Sequence, residues 1–294
     1  MTPAEIASVL DLHGKWLRGE RGGVRAALEG AELVGAYLHK ARLSKANAWG
    51  VKMPGSFLAR ADLSGADITK ADLSGAYMVG ADMSGARLQC SDMSGANMFG
   101  VDLSNADLSV ARLGRANLEG ASLKGANMAG AGLVGARLEL ASLVDANLYG
   151  ASLSGANLTG ANLAGANLTC ANFAGAYFSR SDLSQTNITG AYLAGAYLDS
   201  ANMCGARLDL SWSDSMTVER YLSSGWLRPH GWIALVMRDG SVRLRYGCED
   251  HPLPAWPDLV RGLCEKHVGD EADAYERDLR TLFDFVAALA GPRS

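Results

Sequence analysis

Apolar side chains recur along most of this chain with a period of five. From Ala26 to Leu210 the frame runs through 37 consecutive pentads without insertion or deletion, as in Ala151-Ser152-Leu153-Ser154-Gly155. The third position is Leu, Met, Ile or Phe in 36 of them, Ala48 being the exception, and the first is Ala in 31. The fifth is Gly in 22. A helix places apolar residues about every 3.6 positions and a strand every 2, so neither explains the pattern. Positions one and three point the same way across one short extended piece, and the chain must then turn. Gly at the fifth position suits a tight turn, and a small first residue leaves room beside a neighbouring Leu. One pentad cannot bury its apolar face alone, so successive pentads must stack into a solenoid.

The flanking segments follow other periods. Thr2-Pro3-Ala4-Glu5 reads as a helix start with a capping box and Pro at the first position. Ile6, Val9, Leu10, His13, Trp16 and Leu17 keep helical spacing, and Gly19 ends it. Residues 1–25 are therefore expected to form a helical lid, because a bare first turn of a solenoid exposes unpaired edge groups. His13 falls on the buried stripe with no Cys or carboxylate beside it and reads as a satisfied capping residue. At Ala48-Trp49, with Met53-Pro54 following, the missing Leu predicts a distorted turn with Trp49 folded over the defect.

After Leu210 the repeat stops. Residues 212–229 read as irregular or partly helical. Residues 232–237 and 242–246 flank Asp239-Gly240, a two-strand hairpin signal. Pro252, Pro254 and Pro257 precede two helices expected over about 258–267 and 271–289. The expected organisation is a capping helix (1–25), the repeat (26–210) and a small α+β domain (211–294).

A run of Ala-Asp/Asn-Leu-x-Gly pentads of this length resembles the pentapeptide-repeat proteins. The resemblance implies a mainly β fold, a right-handed four-sided β-helix with four pentads per coil. The 37 pentads would make about nine coils and, at ~4.8 Å per coil, a rod roughly 40–45 Å long. Four sides put residues 20 apart on one face. One face then carries Tyr37, Phe57 and Tyr77 towards one end and Tyr177 and Tyr197 towards the other. The next carries Asp62, Asp82 and Asp102 in succession. Both stripes are candidate docking surfaces for a protein partner; the plainer alternative is that stacked side chains merely cover exposed sheet. Some members of the family imitate duplex DNA and bind type II topoisomerases such as gyrase, protecting them against quinolones, which makes DNA mimicry the second functional reading. The tail resembles domains attached to such repeats in bacteriophage and bacterial genomes, so a phage accessory or anti-defence role is a third.

Charge bears on that choice. The net charge of −4 is too small to imply a partner by itself. Between Ala61 and Val110, however, seven Asp face only Lys70 and Arg87, whereas from Ala111 to Arg180 five cations outnumber three carboxylates. The negative potential is thus confined to part of the rod and reverses beyond it, which disfavours mimicry of a long duplex. No basic stripe is present for grasping phosphates, so direct nucleic-acid binding is not expected.

The remaining chemistry is sparse. No apolar run approaches the ~20 residues of a membrane span, no signal peptide precedes the helix, and the default compartment is the cytoplasm. Five widely spaced cysteines argue against a disulfide framework. In the tail, Cys248-x2-His251 and Cys264-x2-His267 match the arithmetic of a structural zinc site. The plainer reading is core cysteine with surface histidine, since Cys264 shares an apolar stripe with Leu259, Val260 and Leu263. No nucleophile elbow, triad spacing or phosphate-binding loop occurs, and no enzymatic activity or cofactor is expected. Oligomeric state is open, with lateral pairing through Tyr177 and Tyr197 one route to a homo-oligomer.

Overall fold

The computed structural model describes residues 1–193, 196–198, 201–203 and 206, together with the backbone of four strands between 218 and 252. The chain divides into two compact units, Met1–Asn202 and Met203–Ser294.

In the first unit each second-position residue forms a parallel bridge with the residue 20 further on, from Ala27↔Asn47 to Asp182↔Asn202. Four pentads therefore make one coil of a β-helix. The pentad 61–65 shows how the backbone is satisfied. Leu63 N donates to Asp82 O at 2.7 Å and Gly65 N to Ser84 O at 2.8 Å, both one coil on, while Ala61 O accepts from Asp82 N at 2.9 Å. Ala66 N closes the corner onto Leu63 O at 3.0 Å. Only the fourth-position N–H lacks a backbone partner in this scheme, and it is taken up by a side chain: Asp62 Oδ1 accepts from Ser64 N at 3.1 Å. A buried peptide donor must be satisfied, so Asp or Asn at position two belongs to the fold as well as to the surface.

Positions one and three fill a dry interior in which the third-position side chains from Leu28 to Met203, Leu198 aside, are buried. Of the four buried hydroxyl residues at position one, three turn back to the preceding pentad, while Ser56 Oγ is buried without a hydrogen-bond partner among the described residues. Ser91, Ser181 and Thr186 donate to the carbonyls of Leu88, Phe178 and Leu183 at 2.6–2.7 Å.

The corners depend on the fifth residue. Among the described residues all thirteen non-glycine residues with positive φ, from Lys40 to Gln185, occupy that position, with φ between 56° and 60°. The left-handed conformation is thus imposed by the coil whatever the side chain, and Gly is the residue that adopts it without strain. Val110, at φ 58°, is β-branched and bears the penalty most heavily. Side chains at these corners lean over the next coil: a Cβ added to Gly165 would lie 2.5 Å from Asp145 Oδ1, and one added to Gly160 would lie 2.9 Å from Leu140 Cδ2.

The coil at Ala48-Trp49 is regular, contrary to the distortion expected there. Ala48 N and Gly50 N donate to the next coil at 2.8 Å each, and Gly50 keeps φ 62°. Trp49 does not fold inwards. It sits at a corner, about two-fifths exposed, with Lys70 Nζ 5.3 Å from its ring centroid. Pro54 stands at the second residue of the following turn, where proline is favoured, so it marks no fault.

Helix α1 spans Pro3–Leu17. Thr2 caps it in a complete capping box, with Glu5 N on Thr2 Oγ1 and Thr2 N on Glu5 Oε2. His13 joins the helix to the first coils. Its Nδ1 accepts from Ala26 N and its Nε2 lies against Ser44 O, each at 3.0 Å. Those two partners specify a neutral ring with the proton on Nε2. Burial lowers the His13 pKa, opposed by the bond to Ser44 O, while Arg25 and Arg42 lower it further and Asp62 raises it. Among the described residues no helix is long and apolar enough to cross a membrane.

In the second unit the strands β1 (Val218–Ser223), β2 (Trp232–Met237), β3 (Val242–Tyr246) and β4 (Glu249–Pro252) form one antiparallel sheet in the order β1-β2-β3-β4. Strands β2 and β3 pair Trp232 with Tyr246 and Val236 with Val242, as the hairpin signal predicts, and Asp239-Gly240 lies outside the described residues. Strand β1 corrects the expectation of an irregular or helical 212–229: it pairs with β2 through Tyr221↔Leu235, with a bulge between Val218 and Arg220. Its Val-Glu-Arg-Tyr-Leu-Ser sequence alternates too weakly to declare a strand, and pairing to β2 decides its conformation. The helices expected over 258–267 and 271–289 lie outside the described residues.

Val110→Gly should raise stability by about 0.5–1 kcal/mol, the left-handed penalty less the chain entropy of Gly; urea unfolding measures it, and Gly120→Val should shift the midpoint the other way. The lowered pKa of His13 means the unfolded chain takes up its proton first. Its contribution is then full above the unfolded pKa of about 6.5 and is lost as pH falls through the folded value. Hydrogen exchange of the α1 amides, corrected for intrinsic rates, should show protection falling between pH 7 and 5.5, and His13→Gln should abolish that trend.

Candidate interaction faces

The twenty-residue register sorts second-position side chains into four faces. On the aromatic face the bridges run Tyr37↔Phe57↔Tyr77 and Asn157↔Tyr177↔Tyr197. Tyr37 and Phe57 stack with centroids 4.7 Å apart and planes within 5°, and Tyr177 and Tyr197 stack at 4.8 Å and 3°. Rings on successive coils stack because the coil spacing sets their separation. All five aromatic residues predicted for this face are exposed, Tyr37 by 81%. Tyr37 also lines a cleft of about 340 Å³ with Met1, Pro3, Ile6, Leu33 and Val34, where α1 begins against the first coils. The sequence pattern held no signal for that cleft, which depends on how α1 meets the corner at Val34.

The neighbouring acidic face carries Asp62, Asp82 and Asp102 on three consecutive coils. One oxygen of each is held within its own turn. Asp62 Oδ1 accepts from the N–H and hydroxyl of Ser64, Asp82 Oδ1 from those of Ser84, and Asp102 Oδ1 from Ser104 N. The Asp-x-Ser pattern was the signal for this role, and asparagine performs it equally: Asn157 Oδ1 accepts from Thr159 N at 3.1 Å.

On the third face the amides build a ladder. Asn167 Nδ2 donates to Asn147 Oδ1, Asn147 Nδ2 to Asn127 Oδ1, and Asn127 Nδ2 to Asp107 Oδ1, at 3.0–3.1 Å. Asp107 ends the ladder as its one carboxylate. Burial pushes its pKa up, but bonds from Ser109, Gln89 and Asn127 outweigh that and hold it below the usual carboxylate value. Charges on this and the fourth face are interleaved and paired between coils: Arg87–Asp67 at 3.4 Å, Lys52–Glu32 at 2.6 Å and Arg112–Asp92 at 3.6 Å. Such exposed pairs each contribute at most about 1 kcal/mol.

Cys90 and Cys170 are free and exposed at corners. Of the four candidate zinc ligands, His251 lies in β4 opposite Leu244, and Cys248, Cys264 and His267 lie outside the described residues. Among the described residues no group of three or more His, Cys, Asp or Glu is placed to hold a metal ion.

A rod of stacked pentads with outward polar ladders defines a class of repeat protein. Eight copies of the family described as pentapeptide repeats match the chain, together running over residues 24–211, and the chain belongs to the pentapeptide-repeat family. The fold is accordingly a right-handed β-helix. Among solved structures it is similar to HetL, a pentapeptide repeat protein involved in heterocyst differentiation regulation from the cyanobacterium Nostoc sp. strain PCC 7120. That likeness has 28% identity and a TM-score of 0.58, covering 66% of this chain and 95% of HetL. Trypsin-treated QnrB1, a plasmid-mediated fluoroquinolone resistance protein, matches with 22% identity and a TM-score of 0.36 over 60% of this chain and 89% of its own. A thylakoid-lumen pentapeptide repeat protein of Arabidopsis thaliana matches with 38% identity and a TM-score of 0.20 over 33% and 64%. No curated protein matches the sequence.

If the second-position carboxylates serve the turn through one oxygen, Asp102→Asn should leave stability within about 0.5 kcal/mol, whereas Asp102→Ala should cost roughly 1 kcal/mol through the orphaned Ser104 N–H. Thermal unfolding of the two variants measures the difference.

Proposed function

We propose that this protein is a non-enzymatic interaction protein whose rigid repeat presents ready-made faces to a protein partner. In this reading the repeat extends to about nine coils, residues 1–25 close its first coil, and residues 211–294 form a small α+β domain with its own capacity to dock. The observation that carries the reading is the pair of exposed aromatic stacks on one face, Tyr37 with Phe57 and Tyr177 with Tyr197. Aromatic rings held rigid before binding lose little conformational freedom on contact, which is why such residues dominate the energetics of interfaces. The cleft beside Tyr37 extends the apolar surface around the first corner.

Affinity capture with the full chain tests this. A protein retained at near-stoichiometric amounts by the wild type should fall at least tenfold with Tyr37→Ser and Tyr177→Ser combined, while the melting temperature stays within a few degrees. Undiminished capture by the double variant would move the docking role to the tail or another face.

Mimicry of duplex DNA towards a type II topoisomerase is the second reading, supported by Asp62, Asp82 and Asp102 on one face. Against it, Lys40, Arg42, Lys45 and Arg60 stand before the row, and the charge reverses again after residue 110. A supercoiling assay with gyrase decides: no inhibition and no quinolone protection at micromolar protein removes it.

A further inference from the structure

The acidic face differs from the other three in how its charges are arranged. Elsewhere carboxylates are met by cations across coils, as in Lys52–Glu32, Arg87–Asp67 and Arg112–Asp92, and among the described residues no other face carries more than two carboxylates in succession. On this face Arg42 comes first and three carboxylates follow without a cation between them. Lys40 and Arg60 stand at the corner before the face, and Arg25 and Lys45 at the corner after it, joined by Arg25 Nε on Lys45 O. Lys40, Arg42, Lys45 and Arg60 are exposed and form no ion pair among the described residues. The face is therefore basic at its first coil and acidic over the next three.

The fold does not ask for this. Asparagine serves the same turn, as Asn157 and Asn162 show, so carboxylates at positions 62, 82 and 102 add repulsion between neighbouring coils with no gain to the backbone. A surface that segregates charge in this way is complementary to itself when inverted. Two rods placed face to face about a two-fold axis perpendicular to their length set Arg42 of each, with Lys40 and Lys45 at its corners, opposite Asp102 of the other. Asp62 and Asp82 then meet near the axis, with Arg60 at the adjoining corner to offset their charge. Parallel rods would set like charge against like. Closed two-fold contacts of this isologous kind are the commonest among homo-oligomers.

We propose that this face docks a second copy of the chain in antiparallel orientation, Arg42, Lys40 and Lys45 of each copy meeting Asp102 of the other. The contact is narrow, a few coils long and polar, so it forms a reversible, salt-sensitive dimer rather than an obligate one. It leaves the aromatic face uncovered. It is independent of the reading of that face, and the two fail separately.

Sedimentation velocity on the full chain tests the proposal. At about 25 mM salt the wild type should pass from monomer to dimer between roughly 10 and 200 μM, and about 500 mM salt should weaken the association at least tenfold. Arg42→Glu with Lys45→Glu, which spares the turn-capping carboxylates, should be monomeric throughout. So should Asp82→Lys with Asp102→Lys, provided its thermal unfolding shows a folded protein. Mixed in equal amounts, the two variants should recover dimers, because each then offers the charge that the other lacks. A wild type monomeric at 200 μM in low salt would overturn the proposal. So would a dimer indifferent to salt or to Arg42→Glu with Lys45→Glu, or growth into open-ended oligomers.

Discussion

Everything in the repeat rests on a left-handed residue at every fifth position. That conformation turns the chain at each corner, so that positions one and three of successive pentads face one interior and the second-position peptides bond to coils above and below. The cost is carried openly: Lys, Arg, Cys, Asn, Asp, Gln, Leu and even Val adopt positive φ when they fall there. Residues that disfavour the conformation hold it because the ladder and the apolar column on either side are already committed. Strain at one corner is small beside the hydrogen bonds that a coil would lose by relaxing it.

The same economy explains the surface. Four of the five peptide N–H groups in a pentad find carbonyls, and where position two is Asp or Asn the fifth finds that side chain. An outward carboxylate is then not in itself a sign of function. Function is sought where side-chain chemistry exceeds what the turn requires. Stacked rings such as Tyr37 and Phe57 do exceed it, as does charge where an amide would serve.

The coil was legible in the chain because its period, five, belongs to no other common element and continues unbroken from Ala26. What sequence reasoning misjudged was local. Ala48 reads as a fault in the pattern, yet the coil tolerates a small third-position residue because its backbone bonds do not involve that side chain. Strand β1 was missed because Val218 to Ser223 becomes extended through its partner β2, and partners are not written in a six-residue window. The faces could be listed by adding twenty, but their working could not: the hold of Ser64 on Asp62, the cleft under Met1 and the bonds of His13 to Ala26 and Ser44 each need two segments brought together in space.

The twenty-residue register has a consequence for how such a protein can change. Loss or gain of a whole coil lengthens or shortens the rod and leaves each side chain beyond the edit on its old side. Loss of a single pentad keeps the interior equally dry and the corners equally sound, yet acts as a quarter-turn crank. Tyr177 and Tyr197 would swing off the side they share with Tyr37, and the two aromatic patches would look in different directions. Stability would scarcely register such an event, so lineages can reassign what each side displays without rebuilding the column beneath it.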